Sequence, residues 1–147
     1  WCLLKSPMLY LSLALKRRQQ QYYAHLTAVR DGGDWEGWTA FYLECVREAA
    51  DDGVRAAERL FALLGKDRAR LIAHDSVTVP AIRLLDLLPS SPVVTLPLAI
   101  ELLGVSKPTA IKAIEALEET GILKETSGKR RDRVYAYQKY LDVLTGE

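Results

Sequence analysis

Apolar positions in the first half of the chain recur with a helical period. Leu15, Tyr22, Leu26 and Val29 stand seven, four and three residues apart, which puts one apolar stripe on a helix. Ser12 precedes that stripe as a candidate N-cap, so the pattern predicts a helix of about five turns. Asp31-Gly32-Gly33-Asp34 ends it with turn chemistry, and Asp34 can cap the next helix. From Trp35 onward, Trp38, Phe41, Tyr42, Cys45, Val46, Ala49, Ala57, Leu60, Phe61 and Leu64 keep a period near 3.6, and Leu71 and Ile72 extend it. Unbroken to Ala73, this helix would run about 60 Å at 1.5 Å per residue, longer than a small domain is wide. Its far end must then project or carry a second domain. Gly53 and Gly65 are the candidate breaks, at a cost of only about 1 kcal/mol for an interior glycine.

The pattern pauses at His74-Asp75-Ser76-Val77-Thr78-Val79-Pro80, which divides the chain into a helical half, residues 1–75, and a second domain, residues 76–147. The second domain reads as a helix over 80–88, a Pro89-Ser90-Ser91-Pro92 turn, a short helix over 96–103, Gly104, and a third helix over 107–120 ended by Gly121. Two β-type runs follow, 122–126 and 133–137, separated by Ser127-Gly128-Lys129-Arg130-Arg131-Asp132. Tyr140, Leu141, Val143 and Leu144 predict a closing helix. Three short helices and a hairpin with a basic tip are the order of a winged helix-turn-helix. The turn is legible in Leu102-Leu103-Gly104-Val105-Ser106: a glycine that can end one helix in the left-handed conformation, a serine that can cap the next, and Pro108 in its first turn. The fold class expected is mainly α with a small β-hairpin wing.

Composition narrows the chemistry. The 147 residues are 49% apolar and 27% charged, with a net charge of +1, close to the average of globular domains. No apolar run approaches the roughly 18–20 residues of a membrane span, and the first residues lack the pattern of a signal peptide. No membrane association is expected. Cys2 and Cys45 are too few for a disulfide framework and form no cluster with metal-ligand spacing, so the expectation is a reduced, cytoplasmic chain without a metal site, and no cofactor is expected on it. Residue 1 is Trp, as in a fragment or processed piece of a longer protein. Eleven cationic residues face ten acidic ones in 1–75, and nine face nine in 76–147. Between Lys124 and Lys139, however, six Lys or Arg stand against two acids. Any nucleic-acid site must therefore be a local patch.

That patch joins the third helix of the second domain. Ala110, Ile114 and Leu117 fall on one face and should pack inward, leaving Lys107, Thr109, Ile111 and Lys112 in the first turns of the other side. In a helix-turn-helix these positions meet base edges, while Ser106 and the free first-turn N–H groups favour phosphate. Glu115, Glu118 and Glu119 repel phosphate, so only the first two turns can approach DNA. With Lys129, Arg130, Arg131 and Arg133 in the wing, the expected partner is duplex DNA, bound with counterion release. Two alternatives stand beside it: a solvated hairpin tip whose charges protect an edge strand, and a wing or helix face used for a protein partner or homodimer.

Other features read as structure first. Trp35, Trp38, Phe41 and Tyr42 should pack on Tyr22, Tyr23 and Leu26 as a core layer. Lys16-Arg17-Arg18 is a solvated helix face or, as the alternative, a nucleic-acid or acidic-partner contact. His74 suits a helix C-terminus, and Cys45 a small core position.

Leu9-Tyr10-Leu11-Ser12, Gln21-Tyr22-Tyr23, Leu26, Val29-Arg30, Gly33-Asp34-Trp35-Glu36-Gly37-Trp38, Phe41, Leu43-Glu44 and Val46 together resemble the segment that comes after the catalytic loop in Fic-family proteins. Val105-Ser106-Lys107-Pro108-Thr109-Ala110, Lys112-Ala113-Ile114, Gly121-Ile122-Leu123, the wing Thr126-Ser127-Gly128-Lys129-Arg130-Arg131, and Tyr135-Ala136-Tyr137 with Tyr140-Leu141 resemble the winged helix that closes many bacterial members. The resemblance covers nearly the whole chain in collinear order. It implies a family activity of AMP transfer from ATP to a hydroxyl of a target protein. That activity depends on a His-Pro-Phe-x-Asp-Gly-Asn-Gly-Arg loop, which is absent from this sequence. The implied role is a non-catalytic C-terminal portion of such an enzyme: the last helices of the catalytic domain and a connecting helix in residues 1–75, then a DNA-binding regulatory module. One position departs from the pattern. Where related winged helices carry a polar residue such as Asn, position 111 is Ile, which could touch a thymine methyl, join a protein interface or be half buried.

Overall fold

A computed structural model describes residues 10–129 and 131–145. These residues are mainly helical, with a small three-stranded antiparallel sheet. The chain divides into two compact units, Trp1–Glu58 and Arg59–Glu147.

In the first unit, α1 (Leu11–Arg17), α2 (Gln19–Gly32) and the beginning of α3 (Trp35–Ile72) surround a small cluster of Ala14, Phe41, Cys45 and Ala49, flanked by Leu11, Leu15, Tyr22 and Trp38. The single helix expected from Ser12 is two helices. Arg18 leaves the helical region at φ −108° and ψ 31°, so Ser12 lies inside α1 and Tyr10 precedes it. No glycine or proline marks this break. The Arg18 guanidinium pairs with Glu44 at 3.0 Å and Glu48 at 3.2 Å on α3, while its carbonyl accepts the Tyr22 N–H at 2.9 Å. Gly33 closes α2 in the left-handed conformation at φ 71°, and the Asp34 carboxylate accepts the Gly37 N–H at 2.9 Å, capping α3 as its position in the turn predicts.

The aromatic layer is only partly buried. Phe41 is in the core and stacks on His25 at 4.8 Å, and Trp38 is half-buried against Tyr22 at 5.5 Å. Trp35 is 66% exposed, and Tyr23, Leu26 and Tyr42 are exposed as well. Arg17 pairs with Asp52 at 2.7 Å, so two members of the Lys16-Arg17-Arg18 run are partnered by acids of α3.

Neither Gly53 nor Gly65 interrupts α3. The division between the units falls within this helix, and the compositional pause at 74–80 is the connection to α4 (Val79–Leu87). Leu60, Leu63, Leu64 and Leu71 of α3 belong to the core of the second unit. There β1 (Val93–Thr95), α5 (Leu96–Leu103), α6 (Lys107–Glu119), β2 (Lys124–Glu125), β3 (Val134–Ala136) and α7 (Gln138–Thr145) complete the fold.

A repeated local signal starts three of these helices: Thr78-Val79-Pro80, Thr95-Leu96-Pro97 and Ser106-Lys107-Pro108. The Thr78 hydroxyl accepts the Ala81 N–H at 3.3 Å, and that of Thr95 accepts the Leu98 N–H at 3.4 Å. Proline fits the first turn because its missing N–H would have had no partner within the helix.

The core draws Leu84, Leu85 and Leu88 from the α4 region, Ala99 and Leu103 from α5, and Ala110, Ala113, Ile114 and Leu117 from α6. The sheet order is β1-β3-β2, with Val94 opposite Tyr135 and Glu125 opposite Tyr135 on the other side. Val93–Thr95 is a strand that the periodicity misses, being three residues long. β2 starts two residues later than its β-type run for a specific reason. The N–H groups of Ile122 and Leu123 both donate to the Leu117 carbonyl, at 2.9 and 3.0 Å, and so close α6 instead of entering the sheet.

A buried polar link ties the end of α3 to this unit. Asp67 is fully buried, and its carboxylate accepts the Tyr137 hydroxyl at 2.7 Å. Arg70 lies 3.5 Å from the other carboxylate oxygen and donates to the Thr120 carbonyl at 3.3 Å. Burial, then the hydrogen bond to Asp67, pushes the Tyr137 phenol well above its ordinary range, so the hydroxyl stays a donor.

Candidate functional site

The turn between α5 and α6 is built by Gly104, in the left-handed conformation at φ 63°, and by Ser106, whose extended backbone (φ −66°, ψ 155°) precedes the first turn of α6. The expected serine cap is not made. The Ser106 hydroxyl instead lies 3.0 Å from the Thr109 hydroxyl and accepts no α6 N–H, so it leaves the first-turn donors of the helix to other partners. Ser106, Lys107 and Lys112 are exposed, and Thr109 and Ile111 are half-buried. Ala110, Ile114 and Leu117 face the core, as their spacing predicts.

The hairpin tip is organised by one carboxylate. Glu125 accepts the Ser127 N–H at 2.8 Å, the Gly128 N–H at 2.9 Å and the Ser127 hydroxyl. The Ser127 hydroxyl oxygen in turn accepts the N–H of Lys129 at 3.4 Å and of Val134 at 3.3 Å. Gly128 and Asp132 both adopt positive φ, 62° and 53°, which folds the tip back toward β3. The Ser127 hydroxyl first, the two backbone N–H groups and Arg133 hold the Glu125 carboxyl below its ordinary range. In the sequence Glu125 is only an acid in a basic run. Its place two and three residues before Ser127 and Gly128 is the signal that it closes the turn.

Lys129, Arg131 and Arg133 are exposed; Arg130 lies outside the described residues. Lys107 from α6 and Arg131 and Arg133 from the hairpin line a single cleft of about 660 Å³. Its apolar lining is Leu96, Pro97, Ile100, Ile111, Ile114 and Tyr135, and Glu115, Glu118 and Asp132 add three acids. Tyr135, then Glu125 and Glu118, raise the Arg133 pKa. Ser106, Thr109, Lys112 and Lys129 do not line this cleft. The structure thus brings three of the sequence-selected cations onto one face and sets them beside an apolar floor from α5 that the sequence pattern did not single out.

Among the described residues no group of three or more His, Cys, Asp or Glu side chains could hold a metal ion, and no helix is long and apolar enough to cross a membrane. His25 is stacked on Phe41, and His74 Nδ1 lies 2.8 Å from the Ser76 hydroxyl, which donates to Glu119 at 3.0 Å. Cys45 is fully buried in the first unit, and burial pushes its thiol up, which keeps it protonated. No protein-family model matches the chain.

Proposed function

We propose that the second unit is a winged helix-turn-helix that binds duplex DNA, with α5 and α6 as the helix pair and the β2–β3 hairpin as the wing. In this reading the chain is the cytoplasmic, regulatory C-terminal part of a Fic-type AMP transferase. The observation that carries it is the convergence of Lys107 with Arg131 and Arg133 on one cleft. Cations from two separate elements on a common face suit a helix in the major groove with a wing against flanking phosphates. The acids of the second half of α6 limit the approach to its first two turns.

Fluorescence anisotropy with labelled duplex DNA at low salt and at about 0.2 M tests the reading. Binding should weaken steeply with salt, and Arg131→Ala with Arg133→Ala should lower the slope of log affinity against log salt by about two. No salt-dependent binding at micromolar protein, or an unchanged response after Arg130 and Arg131 are replaced by Ala, overturns it. The family's AMP-transfer loop is missing from this sequence, so incubation with labelled ATP and magnesium should modify neither the chain nor added proteins. Detectable transfer overturns the regulatory assignment.

The acids in the cleft favour a second reading. Glu115, Glu118 and Asp132 match Lys107, Arg131 and Arg133 in number over an apolar floor, the anatomy of a protein interface. In that reading the winged helix recruits a protein or pairs with a second copy. Analytical ultracentrifugation separates the cases: a strict monomer at high concentration argues against the dimer.

A further inference from the structure

The first two turns of α6 offer few ways to read a base. From 107 to 112 the side chains are Lys, Pro, Thr, Ala, Ile and Lys. Arg, Asn and Gln, which make paired hydrogen bonds to guanine and adenine, are absent. Ala110 is buried, and the Thr109 hydroxyl is already engaged by Ser106 at 3.0 Å. Lys107 and Lys112 are exposed, flexible point charges suited to phosphate. Ile111 remains. It is half-buried, lines the cleft one turn beyond Lys107 and one turn before Glu115, and keeps part of its aliphatic surface open. Major-groove base edges offer an apolar side chain one partner of its own chemistry, the thymine 5-methyl group.

Resting on the DNA-binding reading above, we infer that Ile111 is a specificity-determining residue that selects thymine through its 5-methyl group. Bound sites then contain thymine opposite the second turn of α6, and recognition there depends on the methyl group and not on base-pair hydrogen bonding.

The test alters the DNA before the protein. Random 20-bp duplexes are enriched on the full chain, and the best binder is resynthesised with deoxyuridine for thymidine, which removes only the methyl groups. The uracil duplex should bind roughly fourfold more weakly per contacted methyl, the transfer value of one such group. Equal affinity for the two duplexes overturns the inference. Ile111→Ala, with its fold checked by circular dichroism, should bind both duplexes equally, and a preference that survives in this variant overturns the assignment to Ile111. If that variant does not fold, Ile111→Val takes its place and should narrow the preference; an unchanged preference counts against Ile111. Failure to bind any duplex at low salt sinks the DNA-binding reading itself, an outcome distinct from binding without a methyl preference.

Discussion

The two units bury their side chains on different scales. Among the described residues the first has four buried apolar side chains, Ala14, Phe41, Cys45 and Ala49, with Trp35, Tyr23 and Leu43 more than half exposed. The second gathers eighteen buried residues from its helices and its sheet, Tyr135 and Tyr137 of the β3–α7 region among them. The first unit relies on surface ion pairs, Arg17 with Asp52 and Arg18 with Glu44 and Glu48, which contribute little individually in water. The second contains a buried hydrogen bond, Tyr137 to Asp67, in a setting where a missing partner is costly. Amphipathic periodicity is equally visible in both halves of the sequence. Periodicity alone therefore does not tell how much surface a helix finds to bury.

The largest expected effect breaks this comparison at the smaller core. Phe41→Ala should cost about 3–5 kcal/mol, more than a four-residue cluster can absorb, and should unfold the first unit. No tryptophan follows residue 58 in the sequence, and Trp35 and Trp38 stand on α3 within that unit. Tryptophan fluorescence should accordingly lose its cooperative transition, while circular dichroism keeps the transition of the second unit. A single coincident transition by both probes would show that the units do not unfold separately.

Leu117→Ala in the second unit should cost about 2–5 kcal/mol and move its denaturation midpoint without abolishing it, as read by circular dichroism in urea. Next in size, Tyr137→Phe removes the hydroxyl that Asp67 accepts and should cost about 1–3 kcal/mol. Asp67→Asn in the same background should recover part of that loss, because it removes the buried charge left short of a donor. A loss in Tyr137→Phe no larger than that of an exposed tyrosine such as Tyr23→Phe would sink the claim that this bond matters. Thr95→Ala, which deletes a helix cap, should cost about 1 kcal/mol.

The smallest effect is local to the hairpin tip. The folded-state pKa of Glu125 is depressed, so its contribution is present above the ordinary glutamate range and is lost as pH falls through the folded value. Protection of the Ser127 and Gly128 amides, taken relative to their intrinsic exchange rate at each pH, should persist through the ordinary glutamate range and fall only at lower pH, and Glu125→Gln should remove that pH-dependent loss of protection. Exchange that is already fast at neutral pH in the native chain would show that the carboxylate does not hold the turn.

Much of the second unit was legible because its signals are local. Ser106 with Pro108, Gly104 and Gly121 mark helix ends through φ preferences and missing donors, which act over one turn. The break at Arg18 was not legible. Its helical propensity is ordinary, and the carboxylates that its guanidinium meets come from Glu44 and Glu48, more than 25 residues away in the chain. Strand β1 was missed for a related reason. Three residues carry too little alternation to register, and their hydrogen bonds come from Val134–Ala136, some forty positions later. At the candidate site, the basic run and the exposed turns of α6 were readable as charge and spacing. That Lys107, Arg131 and Arg133 share a cleft, and that Leu96, Pro97 and Ile100 floor it, was not.

Sequence by itself determined the helical periodicity, the Asp34 cap of α3, the core face of α6 and the basic character of the hairpin, since each depends on neighbours within a few residues. Tertiary structure alone decided which of those faces found a core. It seated the last turns of α3 in the second unit through Asp67 and Tyr137 and brought Arg131 and Arg133 of the hairpin to the side of α6. Each of these outcomes depends on groups whose meeting is set by packing and by the satisfaction of buried polar atoms.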